Sequence, residues 1–291
     1  NAYLVDAPDV FVESRSKPLC GVPEIGIGNK PIDGGFYLFK EDEMLEFVAK
    51  EPNSAKYFHA WYGADEFINR RPRYCLYLGI CPPEELRKMP ECLKRVEAVK
   101  EYRLKSPSPG TVKLAETPRK FHVTNMPTGN YIVIPKVSSE KRFYVPMGFM
   151  TPNIMCSDLI FIMPDATLYH FGILTSLVHM AWVRAVAGGL GVGYRYSKDI
   201  VYNNFVWPSP SEKQHEKIES TAKKILEARE KFPESSLADL YDPLSMPEEL
   251  LKAHKANDAA VCEAYGFDKN ISEEEIVSEL MRLYEKIITL S

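Results

Sequence analysis

The chain has 291 residues, of which 45% are apolar and 26% charged, and a formal net charge of −4. This is the balance of an ordinary globular protein, and the 3 Trp, 16 Tyr and 14 Phe residues exclude disorder over most of the length. No apolar run reaches the roughly 18 residues that a membrane-spanning helix needs, which excludes such a span.

In chain order, the first segment opens on Asn1 without a Met or a signal-like stretch, so an internal fragment of a longer protein is expected, with any catalytic part outside it. Residues 41–50 predict a short helix with Met44, Leu45, Phe47 and Val48 on its apolar side. Residues 84–105 predict helix interrupted near Pro90, which fits the first turn of a second helix. Lys94, Arg95, Lys100, Arg103 and Lys105 crowd into that helix, and Ser106-Pro107-Ser108-Pro109-Gly110 ends it. The whole stretch 70–142 carries 16 basic and 7 acidic side chains, between acidic flanks. A solvated helix face and a polyanion-binding surface are both open explanations; the length of the excess favours the surface. Its expected phosphate contacts are Lys105, Lys113, Arg119 and Lys120.

The centre changes to β-branched and aromatic residues. Strands are predicted at residues 131–135, 143–145, 158–163 and 200–206, with turns at Pro127–Gly129 and Pro164-Asp165. Residues 174–187 are apolar on nearly all sides and predict a buried helix ending at Gly188-Gly189. Beyond Trp207, Pro208-Ser209-Pro210-Ser211 marks a boundary. Three amphipathic helices follow, with capping boxes predicted at Ser211/Gln214, Ser245/Glu248 and Ser272/Glu275. The expected fold class is therefore α+β: a mixed β-sheet domain with packed helices over 1–207, then an all-helical domain over 208–291.

Catalytic and metal motifs are missing. Gly188-Gly189-Leu190-Gly191-Val192-Gly193 follows a helix and precedes a strand, the reverse of a phosphate-cradling loop, and no Lys-Ser/Thr closes it. Pro164-Asp165 is not accompanied by an acid-x-Lys, as a metal-dependent nuclease would require. The single Pro-Pro, Pro82-Pro83, lacks the Asn/Asp and aromatic neighbours that receive a flipped adenine. None of the six His forms a metal-binding spacing, and His179 on its apolar helix is expected to be a hydrogen-bonded core residue. Cys20, Cys75, Cys81, Cys92, Cys156 and Cys262 show no C-x-x-C, and buried free thiols in a reducing cytoplasm are expected.

Two short segments suit DNA. In Pro135-Lys136-Val137-Ser138-Ser139-Glu140-Lys141-Arg142-Phe143-Tyr144, an extended chain would project Glu140 and Arg142 from one face. Arginine donates to guanine O6 and N7 and a carboxylate accepts from cytosine N4, so the two could share one G·C pair. A surface salt bridge between them, worth about 0–1 kcal/mol, is the alternative. Tyr194-Arg195-Tyr196-Ser197-Lys198 interleaves aromatic and basic groups, as a backbone-binding strand or as an edge strand with half-buried tyrosines.

Longer blocks carry a resemblance. They are Gly28-Asn29-Lys30-Pro31-Ile32-Asp33-Gly34-Gly35, Glu66-Phe67-Ile68-Asn69, Leu86-Arg87-Lys88-Met89-Pro90, the Pro135–Glu140 segment, Asp165-Ala166-Thr167-Leu168-Tyr169-His170-Phe171-Gly172, and Tyr194 through Phe205. Together they resemble the C-terminal half of MmeI-like type IIG (type IIL) restriction–modification proteins over essentially the whole chain. The resemblance implies a target recognition domain to about residue 207 and a C-terminal helical domain after it. It also implies double-stranded DNA as partner, and a nuclease and an adenine-N6 methyltransferase upstream in the same polypeptide. Those domains would use Mg2+ and S-adenosylmethionine, with no cofactor in this fragment. The family reads a base pair with an acid-x-Arg pair just after its Pro-Lys-Val-Ser-Ser segment, which points to Glu140 and Arg142, with Lys141 and Tyr144 as further base contacts. Lys136, Ser138, Ser139, Arg195 and Lys198 are then expected on the DNA backbone. The alternatives are a specificity subunit that recruits separate catalytic chains, and a self-contained enzyme that binds a nucleotide at Gly188–Gly193.

Overall fold

The computed structural model describes residues 10–189 and 193–290, and these divide into two compact units. One holds residues 27–128 and 151–160; the other holds the rest.

In the unit of residues 27–128 and 151–160, four strands pair in the order Leu38–Phe39, Arg73–Leu76, Phe58–Tyr62, Met155–Cys156. The first two pairings are antiparallel and the last is parallel. Helix Glu41–Lys50 forms as expected, with Glu41, Asp42 and Glu43 at its positive end and Lys50 at its negative end. Helices Pro83–Leu86 and Pro90–Leu104 follow, and Pro90 sits at the first turn, where its missing N–H costs nothing. Phe39, Phe47, Trp61, Leu76, Met89 and Val99 meet in the core between sheet and helices.

The glycine-rich block near residue 28 is structural. Asn29, fully buried, accepts from the Asn125 amide and donates to the carbonyls of Asn125 and Cys156. Asp33 accepts from the Tyr37 amide at 2.8 Å. Gly34 has φ +66°, and a Cβ there would stand 2.8 Å from the Tyr102 ring.

In the other unit, Tyr131–Pro135 and Ile160–Pro164 lie side by side at the centre of a sheet edged by Gly26–Ile27 and Gly148–Met150. Both central strands are buried almost throughout, which is why they read as unbroken apolar runs. The buried helix expected over 174–187 forms as Leu177–Val186, and a helix not expected from the sequence, Leu168–Leu174, precedes it. The two are divided where the Thr175 and Ser176 hydroxyls bond back to the carbonyls of Phe171 and Ile173. The C-terminal helices are Glu212–Glu230, Glu248–Tyr265 and Glu273–Leu290, with a short turn at Leu237–Leu240. The chain is thus α+β with a helical C-terminal part. Helix Glu212–Glu230 packs on Leu168–Leu174, and Glu273–Leu290 on Leu177–Val186. Gly172 permits the first approach: a Cβ there would lie 2.6 Å from Ile218 Cγ2.

Four local expectations are corrected. Residues 200–206 are not a strand. Lys198–Tyr202 is a π-helical turn whose Val201 carbonyl accepts from the Trp182 indole, and Asn203 and Asn204 donate to the carbonyls of Arg15 and Glu13. Tertiary hydrogen bonds there override β-propensity. Residues 143–145 are not a strand: Phe143 and Tyr144 lie in a bend, held by the anchors described below. Ser245 bonds the Asp239 carbonyl, so the helix after it starts at Glu248 behind Pro247 without a capping box, whereas the Ser211/Gln214 and Ser272/Glu275 boxes form. Residues 140–144 are not extended. The Ser139 carbonyl accepts from the Arg142 amide at 3.2 Å and the Ser139 hydroxyl from the Lys141 amide at 3.3 Å, which closes a turn.

Candidate nucleic-acid interface

The two DNA-suited segments meet. Val137–Ser139 pairs antiparallel with Gly193–Arg195, placing Gly193 opposite Ser139, Tyr194 opposite Ser138 and Arg195 opposite Val137. Gly188–Gly189 adds a third strand. Residues 190–192 of the glycine-rich loop lie outside the described residues. Just beyond, the Tyr196 amide donates to the Lys136 carbonyl at 2.8 Å. The Tyr196 hydroxyl and His179 Nε2 share a 2.9 Å hydrogen bond inside the core, so His179 anchors this sheet.

Strand alternation sorts the side chains. Val137 and Arg195 share a face and both are exposed, while Ser138 turns inward at 4% exposure. Lys136 lies over the Phe161 ring, 4.5 Å from its centroid. Lys198 opens the π-helical turn, half-buried. The turn then carries Glu140 and Lys141 exposed, with Arg142 half-buried. Among the described residues no ion pair joins Glu140 to Arg142, so their charges are not spent on each other. Burial lowers the Arg142 pKa, and the negative charge of Asp242 raises it in part. Asp242, supplied by the C-terminal part, is a neighbour that strand logic could not reveal.

Two expected contacts differ from their placement. Tyr144 is 6% exposed; its hydroxyl donates to Asp258 Oδ2 at 2.6 Å and its ring stacks on His254 at 4.0 Å. Ser138 is turned inside by the alternation that exposes Val137. Burial removes both from the surface that would meet bases or phosphates.

Lys105, Lys113, Arg119 and Lys120 lie in the unit of residues 27–128 and 151–160. Lys105, Lys113 and Lys120 are exposed, and Arg119 is half-buried with Nη1 on the Cys81 carbonyl at 2.7 Å. Lys105 also approaches Glu101 at 3.7 Å. Arg103, counted in the same basic stretch, is fully buried instead. Its guanidinium donates to the carbonyls of Pro31, Ile32, Leu114, Thr117 and Lys120. It therefore shapes the segment on which Lys113, Arg119 and Lys120 stand.

Burial lifts the Asp258 carboxyl to about 6, against opposing hydrogen bonds from Tyr144 and the Leu177 amide. A folded-state pKa above the unfolded value near 3.9 means that Asp258 costs stability once ionised. Its contribution is fully favourable below about pH 4 and is lost as pH rises through 6. Asp258→Asn keeps an acceptor for Leu177 and can donate to the Tyr144 oxygen. The variant's unfolding free energy relative to wild type should therefore rise between pH 4 and pH 7, by an amount on the order of 2–3 kcal/mol, and its thermal midpoint should rise with it. A pH-independent difference in midpoint would show that the carboxyl is not desolvated.

The sequence matches the family model of the MmeI target recognition domain over residues 6–209 and that of the MmeI C-terminal domain over residues 210–290. It is 41% identical over 285 residues to DNA methyltransferase A of Bacillus subtilis (strain 168), covering 98% of this chain and 32% of that protein. The structure of the type IIL restriction-modification enzyme MmeI in complex with DNA matches with a TM-score of 0.96 at 43% identity, over 99% of this chain and 38% of that one. This chain thus spans about a third of the length of these relatives. It belongs to the MmeI target recognition domain family and continues into the MmeI C-terminal domain.

Proposed function

We propose that this chain is the sequence-reading part of a bifunctional adenine-N6 DNA methyltransferase and restriction endonuclease. Residues 1–207 are its target recognition domain and 208–291 its C-terminal helical domain. The observation that carries this reading is the pairing of Val137–Ser139 with Gly193–Arg195, which sets the Glu140–Arg142 turn beside a basic strand in a chain whose solved relative is bound to DNA. Glu140, Lys141 and Arg142 address base edges in the major groove. Lys136, Ser139, Arg195 and Lys198 hold the backbone around them, and Lys105, Lys113, Arg119 and Lys120 form a second set of phosphate contacts.

Domains upstream in the same polypeptide would transfer a methyl group from S-adenosylmethionine and cut with Mg2+. Among the described residues no group of three or more His, Cys, Asp or Glu could hold a metal ion, and no such role is assigned to them. No described helix is long and apolar enough to cross a membrane. The six free cysteines, five of them buried, support a cytoplasmic setting.

Sequencing the sites methylated by the full-length protein tests the reading. Arg142→Ala should relax one position of the modified sequence and leave the others; an unchanged site would overturn it. Lys113→Ala and Lys120→Ala should instead weaken binding to all duplexes alike and flatten the salt dependence by about one counterion each. Unchanged affinity and slope would assign those lysines to a solvated face.

A further inference from the structure

The segment that follows the turn is pinned at successive residues, and its anchors lie on one internal helix and the C-terminal helices. The Phe143 carbonyl accepts from Arg184 Nη2 at 3.0 Å, and Arg184 pairs in turn with Glu273 at 3.2 Å. Tyr144 donates to Asp258, whose other oxygen accepts from the Leu177 amide at 2.7 Å. The Met147 carbonyl accepts from Arg229 Nη1 at 2.5 Å. Arg229 also donates through Nε to the Tyr241 hydroxyl at 2.7 Å, and that hydroxyl meets His254 Nε2 at 2.8 Å beneath the Tyr144 ring. Arg229, His254 and Asp258 are all buried, and a hydrophobic packing of the same helices would not need them. Buried polar groups of this kind fix one arrangement among several of similar packing energy.

We infer that the C-terminal helices are a specificity-positioning element: through Tyr144, Phe143 and Met147 they hold the Glu140–Arg142 turn in the register that selects its base pair. The inference rests on the DNA-reading function proposed above. None of these anchors touches a base; they act through the turn. Direct readout tolerates little misplacement, because a bidentate arginine–guanine contact fails when the fork shifts by a fraction of its hydrogen-bond length. Releasing an anchor should loosen one position of the recognised site while the rest of the protein keeps its contacts.

The test uses the full-length protein and measures kcat/KM for methylation of the cognate duplex and of each single-base-pair variant. Tyr144→Phe removes one oxygen and keeps the ring. Its discrimination should fall roughly tenfold at the same position that Arg142→Ala relaxes, and at no other. Arg184→Ala, which frees the Phe143 carbonyl from a half-exposed position, should act at that position too and serves if the Phe variant does not fold. Loss of rate spread equally over all positions, or full discrimination in both variants, would overturn the positioning role while the Arg142→Ala effect left the DNA-reading function standing. If Arg142→Ala relaxes no position, both fail together.

Discussion

Arg103→Ala is expected to destabilise the protein by about 3–5 kcal/mol, among the largest effects a single truncation can have. The side chain is fully buried and donates to five backbone carbonyls drawn from residues 31–32 and 114–120. No carboxylate lies within hydrogen-bonding distance among the described residues; Asp33 acts on it only through its field, opposing the fall in pKa that burial causes. Truncation takes the side-chain donor from all five. The Leu114 and Thr117 carbonyls keep the amides of Thr117 and Lys120, but those of Pro31, Ile32 and Lys120 lose the guanidinium, at a desolvation cost of roughly 1–3 kcal/mol for each that stays out of water. Lysine offers three donors from one nitrogen and cannot span both stretches of chain, so Arg103→Lys should recover only part of the loss. Methionine fills the stem volume without donors and should behave like alanine. Urea unfolding followed with hydrogen exchange should show residues 114–120 losing protection first. Because Arg119 and Lys120 lie in that stretch and Lys113 directly precedes it, the DNA affinity proposed for them should fall with it. Lysine or methionine variants as stable as wild type would mean that water or rearranged backbone satisfies the carbonyls without the guanidinium.

Arg103 also shows where sequence stops being informative. Its place in a run of basic helix residues marks it as surface charge, and the helix itself was legible from its spacing and from Pro90. What turns Arg103 inward is a set of carbonyls supplied by two separate stretches, residues 31–32 and 114–120, whose convergence no helical spacing announces. The same holds at the turn. The Pro135–Arg142 segment and the Tyr194–Lys198 segment were each legible as chemistry, and strand alternation explains Val137 out and Ser138 in. Their pairing is a long-range event that no local periodicity encodes. Tyr144 was expected as a base contact only from the family resemblance; it is buried because Asp258 and His254, more than a hundred residues later, receive it. Residues 200–206 have the composition of a strand and lose it to the hydrogen bonds of Asn203 and Asn204.

On the reading role proposed for them, the exchange of Glu140 and Arg142 in the full-length protein should change the recognised base pair, but the neighbourhood of Arg142 adds a condition. Each single substitution to alanine should cost about 1–3 kcal/mol of discrimination, both at one position, since an acid and a guanidinium two residues apart can address cytosine N4 and guanine O6/N7 of one pair. Glu140→Lys with Arg142→Asp reverses donor and acceptor and should select the pair with its strands interchanged. Arg142 is half-buried, however, and the charge of Asp242 acts on it. An aspartate placed there meets a like charge with little water to screen it, and its ionised form is disfavoured. The double variant should therefore read the interchanged pair weakly. Adding Asp242→Asn removes the repulsion and keeps an oxygen for the Leu244 amide, which Asp242 Oδ1 now holds at 2.8 Å. The triple variant should methylate the interchanged site at a rate closer to that of wild type on its own. Sequencing of methylated sites for the singles, the double and the triple decides the matter. Singles that relax different positions would show that the two side chains do not share a base pair. A double variant unaffected by Asp242→Asn would show that the field at position 142 comes from elsewhere.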